Sequence, residues 1–172
     1  GEPDSAIAKA HLLSTYIERN DRPRAQALAD SIVAGPEDCP NCLLNAAYLA
    51  LADRNEARAE AIIVKLQHSP ALGNDKPLFA GYVLATGQLL ELQGDIPGAE
   101  ATYHQAVKLD PYNPLPIMQL SLLLARKGRA DDARAAEAKA MVLFPPAERP
   151  ERRAYFEHVL AQPHPATSTT PR

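Results

Sequence analysis

Four small or rigid residues recur at one spacing in the second half of the chain, and this recurrence restricts the fold more than any other feature. The segment LQGDIPGAEATYHQAVKLDPYNP is followed, in the same pattern, by RKGRADDARAAEAKAMVLFPP. The members of each pair are 34 positions apart, and the pairs are Gly94 and Gly128, Ala99 and Ala133, Ala106 and Ala140, and Pro111 and Pro145. A fixed period of this length is typical of a repeated supersecondary unit.

The spacing of apolar residues predicts that each unit is a pair of helices. Apolar side chains follow Gly94 at intervals of three and four residues, as on one face of a helix. Glycine supplies the left-handed conformation that ends a helix, Pro97 suits the start of the next helix, and Pro111 prevents that helix from continuing. Gly87 and Ala99 carry little side chain, so the two helices are predicted to cross closely there.

A fainter copy of the same pattern lies upstream. The first helix break is predicted at Asn20, and Ala25 follows Tyr16 by nine residues. Ala57 follows Tyr48 by the same interval and is predicted to take the equivalent place in the second unit. The predicted units are 6–36, 38–68, 78–111 and 114–145, with a loop over 68–80 between the second and the third.

These units are predicted to form a single domain over 1–162. A further helix at about 148–162 begins near Pro150 and has one apolar side, so it is predicted to cap the array. The segment 163–172 is rich in Pro, Ser and Thr and is predicted to be disordered. The N-terminal residues lack the basic and apolar blocks of a signal peptide and are typical of a cut edge.

Composition favours helices and argues against several classes of ligand. Apolar residues make up 46% of the 172 residues, and β-branched and aromatic residues are few. The net charge of −3 argues against nucleic acid as a partner. No apolar run reaches about 18 residues, so no direct membrane insertion is expected. The excess of Arg over Lys and of Ala indicates a bacterial protein, and the close cysteine pair favours the periplasm over the cytoplasm.

The 34-residue period with its Gly, Ala, aromatic, Ala and Pro positions resembles the tetratricopeptide repeat family. The resemblance covers about four-fifths of the chain and is strongest over 80–145. It implies an all-α, right-handed superhelical array, an α-solenoid, in which the first helix of each pair lines a concave groove. Three units depart from the pattern, because Ala29, Ala61 and Glu137 stand where the family has a large apolar residue.

The resemblance also implies a protein or peptide partner bound in that groove. The family's lysines and asparagines that grip a C-terminal carboxylate are absent, so an apolar groove for a helical or extended segment is predicted. Other first-helix positions of the same register are Ile7, Ala10, Ser14, Ile17, Cys39, Cys42 and Ala46. The candidate groove residues are Leu49, Leu84, Gln88, Glu91, Leu115, Met118, Gln119, Leu122 and Arg126. Any single apolar member is better explained as a core residue packed between neighbouring first helices, but several of them together still form a binding surface.

The motif DCPNC is the most distinctive local feature. Cys39 and Cys42 could be plain small residues between two units, a local disulfide in an exported protein, or a redox or metal pair. No strand precedes them as in a thioredoxin-like unit, and no second pair of ligands completes a zinc site. The alternatives stay open at this point.

No pattern of catalytic residues is visible. The five histidines are spread widely and form no recognisable arrangement with another candidate ligand or with a Ser or Cys nucleophile, and there is no phosphate-binding glycine loop. The sequence therefore predicts a non-enzymatic scaffold or chaperone-like adaptor with no cofactor and no metal. Two alternatives are an accessory module of a larger enzyme or of a secretion or envelope assembly machine, and a self-assembling structural protein.

Overall fold

The computed structural model describes residues 5–35 and 39–163 of the chain. Within these residues the protein has nine α-helices, a short 3-10 helix at Pro70–Gly73, and no strand. The helices are α1 (Ala6–Glu18), α2 (Arg22–Ala34), α3 (Pro40–Ala52), α4 (Glu56–Gln67), α5 (Lys76–Leu92), α6 (Ile96–Leu109), α7 (Pro114–Arg126), α8 (Ala130–Leu143) and α9 (Arg149–Leu160). The predicted all-α class is therefore confirmed.

Some predictions concern residues outside this description. The predicted cut edge at residues 1–4 lies outside the described residues, as does the predicted disordered tail apart from Pro163. Among the residues that are described, no helix is long and apolar enough to cross a membrane.

Contacts divide the chain into two compact units, one ending at Ala99 and the other beginning at Glu100. We call them unit 1 and unit 2. Helices α1 to α5 belong to unit 1, helices α7 to α9 belong to unit 2, and the boundary falls within α6. The single domain predicted over 1–162 stays a prediction.

In unit 1, α3 packs against both α1 and α5, while α2 and α4 pack behind these helices. The core of the unit is apolar, and Leu13 and Leu66 are fully buried. At the crossing of α3 and α5, a Cβ on Gly81 would lie 2.6 Å from the side chain of Leu44, so glycine allows the close approach. The hydroxyl of Tyr48 donates to the Gly81 carbonyl at 2.9 Å, and burial raises the pKa of Tyr48.

In unit 2, α7 and α8 form a hairpin, and α9 packs against both helices. Phe156 of α9 is fully buried. Glu137 of α8 is also buried, and its carboxylate accepts a hydrogen bond from Arg153 Nε of α9 at 3.2 Å. This ion pair explains a departure from the repeat pattern, because the charge that occupies an apolar position is compensated by the helix that covers it.

Ion pairs also hold the N-terminal part of unit 2 together. The Glu100 carboxylate of α6 accepts hydrogen bonds from Lys127 Nζ at 2.5 Å and from Arg129 at 2.7 Å. These two cations follow the C-terminal end of α7, so Glu100 connects α6 to the α7–α8 turn. Hydrogen bonds from Lys127, and then from Arg129, hold the pKa of Glu100 below its usual value of 4.5.

One turn geometry joins the two helices of every hairpin. Among the described residues, four have a positive φ, between 54° and 83°, and they are Asn20, Arg54, Gly94 and Gly128. At each turn this residue donates its N–H to the carbonyl three residues earlier, and the next residue donates to the carbonyl five residues before it. Both bonds define the Schellman motif, which satisfies the last carbonyls of the first helix. The structure is therefore helical and repeat-like.

The common turn corrects the predicted register of the second hairpin. Five residues after each left-handed residue stands a fully buried alanine, and these are Ala25, Ala59, Ala99 and Ala133. The prediction that Ala57 takes this place is wrong, because Ala57 is exposed and the register is shifted by two residues. The same shift puts buried Ile63, in place of Ala61, at the large apolar position.

The predicted loop over 68–80 is also shorter than expected. Helix α5 already begins at Lys76, and the Asp75 side chain accepts the Leu78 N–H at 2.9 Å as its N-cap. Pro77 stands in the first turn, where a missing N–H costs nothing. Only the 3-10 helix at Pro70–Gly73 and its flanks remain as the connection between α4 and α5.

Candidate functional site

A cleft of about 280 Å³ lies between α7 and α9 of unit 2. Helix α7 contributes Leu115, Met118, Gln119 and Leu122, and the facing wall consists of the N-cap residue Glu148 and of Glu151, Arg152 and Tyr155 in helix α9. On both walls the second, third and fourth lining positions are three, four and seven residues after the first. Such positions share one face of a helix, so the α7/α9 cleft is built from two facing helix stripes.

Exposure separates the floor of the α7/α9 cleft from its rim. Met118 and Leu122 are each only 4% exposed and form an apolar floor. Leu115 is 41% exposed and Tyr155 is 52% exposed, so both offer apolar surface at the rim. An apolar floor below exposed leucine and tyrosine is suited to bind an apolar side chain.

The charged residues of the α7/α9 cleft differ in whether they already have a partner within the protein. The Arg152 guanidinium donates to Glu148 at 3.0 and 2.6 Å and lies 4.0 Å from the centre of the Phe144 ring. Among the described residues, none forms a hydrogen bond or an ion pair with Glu151. The cleft thus holds one arginine and two glutamates, and the carboxylate of Glu151 is available to a ligand.

A second cleft, of about 400 Å³, lies between α1 and α3 of unit 1. Its lining is Ala6, Ile7, Ala10, His11, Ser14, Cys39, Pro40, Asn41 and Asn45. The Asn45 amide donates to the Ala10 carbonyl at 3.2 Å and so connects the two helices. Within residues 5–35 and 39–163, no carboxylate and no lysine or arginine lines the α1/α3 cleft.

The two clefts use equivalent positions of their hairpins. The four shared positions lie 13, 10, 9 and 6 residues before the left-handed residue, which is Asn20 in one hairpin and Gly128 in the other. They hold Ile7, Ala10, His11 and Ser14 in α1, and Leu115, Met118, Gln119 and Leu122 in α7. A cleft thus lies at the same place of the first helix in two of the hairpins.

The structure brings some of the predicted groove residues together and leaves others apart. Leu115, Met118, Gln119 and Leu122 share the α7/α9 cleft, whereas Arg126 is exposed and does not line it. In unit 1, Leu49 and Leu84 are 2% and 3% exposed, so they are core residues there. Gln88 and Glu91 are half-buried, and neither lines the α1/α3 cleft. Of the other first-helix positions, Ile17 and the buried Ala46 also lie outside that cleft.

Sequence reasoning missed the contribution of α9 to the α7/α9 cleft. Glu148, Glu151, Arg152 and Tyr155 have helical spacing, but their orientation depends on how α9 packs against α7 and α8. The corrected register also changes the equivalent positions of the second hairpin, because it places Leu51 and Tyr48, instead of Leu49, at the first-helix positions equivalent to Ile17 and Ser14. The spacing of Asn20 and Arg54, also 34 residues, was the signal that could have revealed this register.

Cys39 and Cys42 form a disulfide. Cys39 is the N-cap residue of α3, and Cys42 lies in the first turn of that helix. Both sulfur atoms are close to the carbonyl oxygen of Ala6 in α1, at 3.3 Å from Cys39 and 3.2 Å from Cys42. The disulfide therefore lies where the N-terminal ends of α1 and α3 meet.

Metal-binding clusters are not found in the part of the chain that the structure describes, since no three His, Cys, Asp or Glu side chains converge there. Comparisons with protein-family models, with curated proteins and with solved structures found no match. The assignment of a function therefore depends on the geometry of the two clefts.

Proposed function

We propose that the protein is a non-enzymatic scaffold or adaptor that binds a segment of another protein through the α7/α9 cleft. The observation that carries the proposal is the coincidence of two independent results. Leu115, Met118, Gln119 and Leu122 were predicted as groove residues from the repeat register, and the same four residues form one wall of the cleft.

The proposal extends to the arrangement of the hairpins as a tetratricopeptide-like solenoid. Four Schellman turns, each followed after five residues by a fully buried alanine, support it. The equivalent positions of the α1/α3 and α7/α9 clefts support it as well. In such an array the first helices line the binding surface, and a cleft beside a first helix is part of that surface.

The chemistry of the α7/α9 cleft specifies the bound segment. A volume of about 280 Å³ is below the usual range of pockets that enclose a small molecule, and it suits one or two side chains of a longer segment. The apolar floor favours Leu, Ile, Met or Phe at the anchor position. The unpaired Glu151 at the rim favours a lysine or an arginine near that anchor.

A random peptide library displayed on phage and selected on the immobilised protein tests this function. We expect enriched sequences with an apolar residue flanked by Lys or Arg. Leu115→Asp should weaken their binding by at least about tenfold, or 1.4 kcal/mol, because it puts a charge against the apolar anchor. Leu109→Asp is the matched control, since Leu109 is 43% exposed and lies outside the cleft.

Two outcomes would contradict the proposal. One is that no sequence is enriched above background on the folded protein. The other is that Leu115→Asp and Leu109→Asp bind the selected peptides equally well. Circular dichroism of both variants should show unchanged helicity, because both leucines are exposed.

A further inference from the structure

The Cys39–Cys42 disulfide has no part in the peptide binding that we propose for the α7/α9 cleft. It closes a short ring, since the two cysteines are three positions apart. A disulfide that closes so short a loop restricts the unfolded chain less than a long-range one does. Its opening therefore leaves most of the stability of unit 1 in place.

The two cysteines differ in their position relative to the α1/α3 cleft. Cys39 lines the α1/α3 cleft and is 5% exposed to solvent. Cys42 is fully buried and is absent from the cleft lining. Because thiol–disulfide exchange requires a thiolate to reach one sulfur, the cleft directs attack to Cys39.

The surroundings of Cys39 are compatible with an anionic reagent. The described residues that line the cleft include no carboxylate that would repel an approaching thiolate. Asn41 and Asn45 add polar side chains to the cleft next to the disulfide. The N-terminal end of α3 carries a partial positive charge that stabilises a thiolate released in its first turn.

We propose that the disulfide is a thiol-exchange site, reached through the α1/α3 cleft, for a thiol-bearing reductant. A thiolate attacks Cys39 Sγ, the S–S bond breaks, and its electron pair leaves on Cys42 Sγ, which takes a proton from water. A second thiolate then attacks the reductant's sulfur in the mixed disulfide. The products are the Cys39 and Cys42 thiols and one disulfide of the reductant, so two electrons are transferred.

Two sources of thiol fit this chemistry, namely a small monothiol and a dithiol. The oxidised wild-type protein should be treated at neutral pH, without denaturant, with glutathione in one arm and with dithiothreitol in the other. After quenching with an alkylating reagent, peptide mass spectrometry locates each modification. We expect dithiothreitol to give the free dithiol, and glutathione to give a mixed disulfide on Cys39.

Single-cysteine variants make the access argument quantitative. Cys42→Ser leaves only Cys39, and Cys39→Ser leaves only Cys42, so each thiol can be timed separately with dithionitrobenzoate. In the folded protein Cys39 should react at least about tenfold faster, because only Cys39 lines the cleft. In denaturant the two rates should become equal, which controls for intrinsic reactivity.

Three results would overturn the proposal. The disulfide could resist both reductants until the protein is denatured. The glutathione adduct could form on Cys42, or the two single-cysteine variants could react at equal rates when folded. The wild-type mass-spectrometric arms keep the test valid even if one serine variant fails to fold.

Discussion

The α1/α3 cleft of unit 1 and the α7/α9 cleft of unit 2 occupy equivalent places in their hairpins but have different chemistry. Positions that hold Ala10 and Ser14 in α1 hold Met118 and Leu122 in α7. Among the residues that the structure describes, the lining of the first cleft holds no carboxylate, lysine or arginine and lies beside a disulfide, whereas the second cleft has an apolar floor and a charged rim. One backbone feature thus supports two different surfaces.

This difference indicates that the geometry of the hairpin determines where a cleft forms, whereas the side chains that line the cleft determine what it binds. In unit 1 the ends of α1 and α3 meet at the Cys39–Cys42 disulfide and the Ala6 carbonyl. In unit 2 the position of α9 depends on buried Phe156 and on the Glu137–Arg153 ion pair. The predictions below test this contrast, beginning with the largest effect.

Phe156→Ala should have the largest effect, because it removes a fully buried ring that holds α9 against unit 2. We expect a loss of about 3–5 kcal/mol in the free energy of unfolding, as for other buried phenylalanines. Urea titration followed by circular dichroism measures it. Tyr155→Ala is the matched control, since Tyr155 is 52% exposed and its loss should change stability by less than about 0.5 kcal/mol.

Removal of the disulfide should have the next largest effect. The double variant Cys39→Ser and Cys42→Ser should lose about 2 kcal/mol, because even a short covalent ring restricts the unfolded chain. Reduced wild-type protein should lose a similar amount, and the urea midpoint of both measures it. A midpoint equal to that of the oxidised protein would show that the disulfide does not stabilise unit 1.

Glu100→Gln should destabilise the protein by roughly 0.5–1 kcal/mol at neutral pH, since the ion pairs it breaks are partly screened by solvent. The pKa of Glu100 is lowered in the folded state, so its contribution is present above the unfolded value of 4.5. It is lost as the pH falls through the lower folded value. Urea midpoints of variant and wild type should therefore converge in acid, and a constant difference would contradict the ion-pair explanation.

Ser121→Ala should have the smallest effect and the opposite sign. Ser121 of α7 is fully buried, and its hydroxyl has no hydrogen-bond partner among the described residues. Its removal should stabilise the protein by about 0.5 kcal/mol, because an unpaired buried group is lost and alanine favours helix. Ser31→Ala in unit 1 is the control, since the Ser31 hydroxyl donates to the Leu28 carbonyl at 2.9 Å. An equal gain in thermal midpoint for both variants would refute this reasoning.

The sequence predicted the end of α5 and the limits of α6 to α8 well because these are set by local chemistry. Gly94 and Gly128 each end the first helix of a pair. Pro97 lies in the first turn of α6, and Pro114 lies in the first turn of α7. These signals need no knowledge of tertiary contacts. The repeat spacing also identified one complete wall of the α7/α9 cleft.

The remaining features depend on contacts that local patterns do not encode. Arg54 adopts the left-handed conformation without the glycine that usually marks it, so the second register was misplaced by two residues. The compensation of Glu137 by Arg153 depends on how α9 folds back on α8. The second wall of the α7/α9 cleft also depends on this packing, because the position of α9 determines which of its side chains face α7.

The most direct test of the central claim is a titration of isotopically labelled protein with the tightest-binding library peptide, followed through backbone amide chemical shifts. The account predicts that the largest shifts fall on the lining residues of α7 and α9, including Leu115, Gln119, Glu151 and Tyr155. Shifts confined to α2 and α4, or spread evenly over the chain, would contradict it.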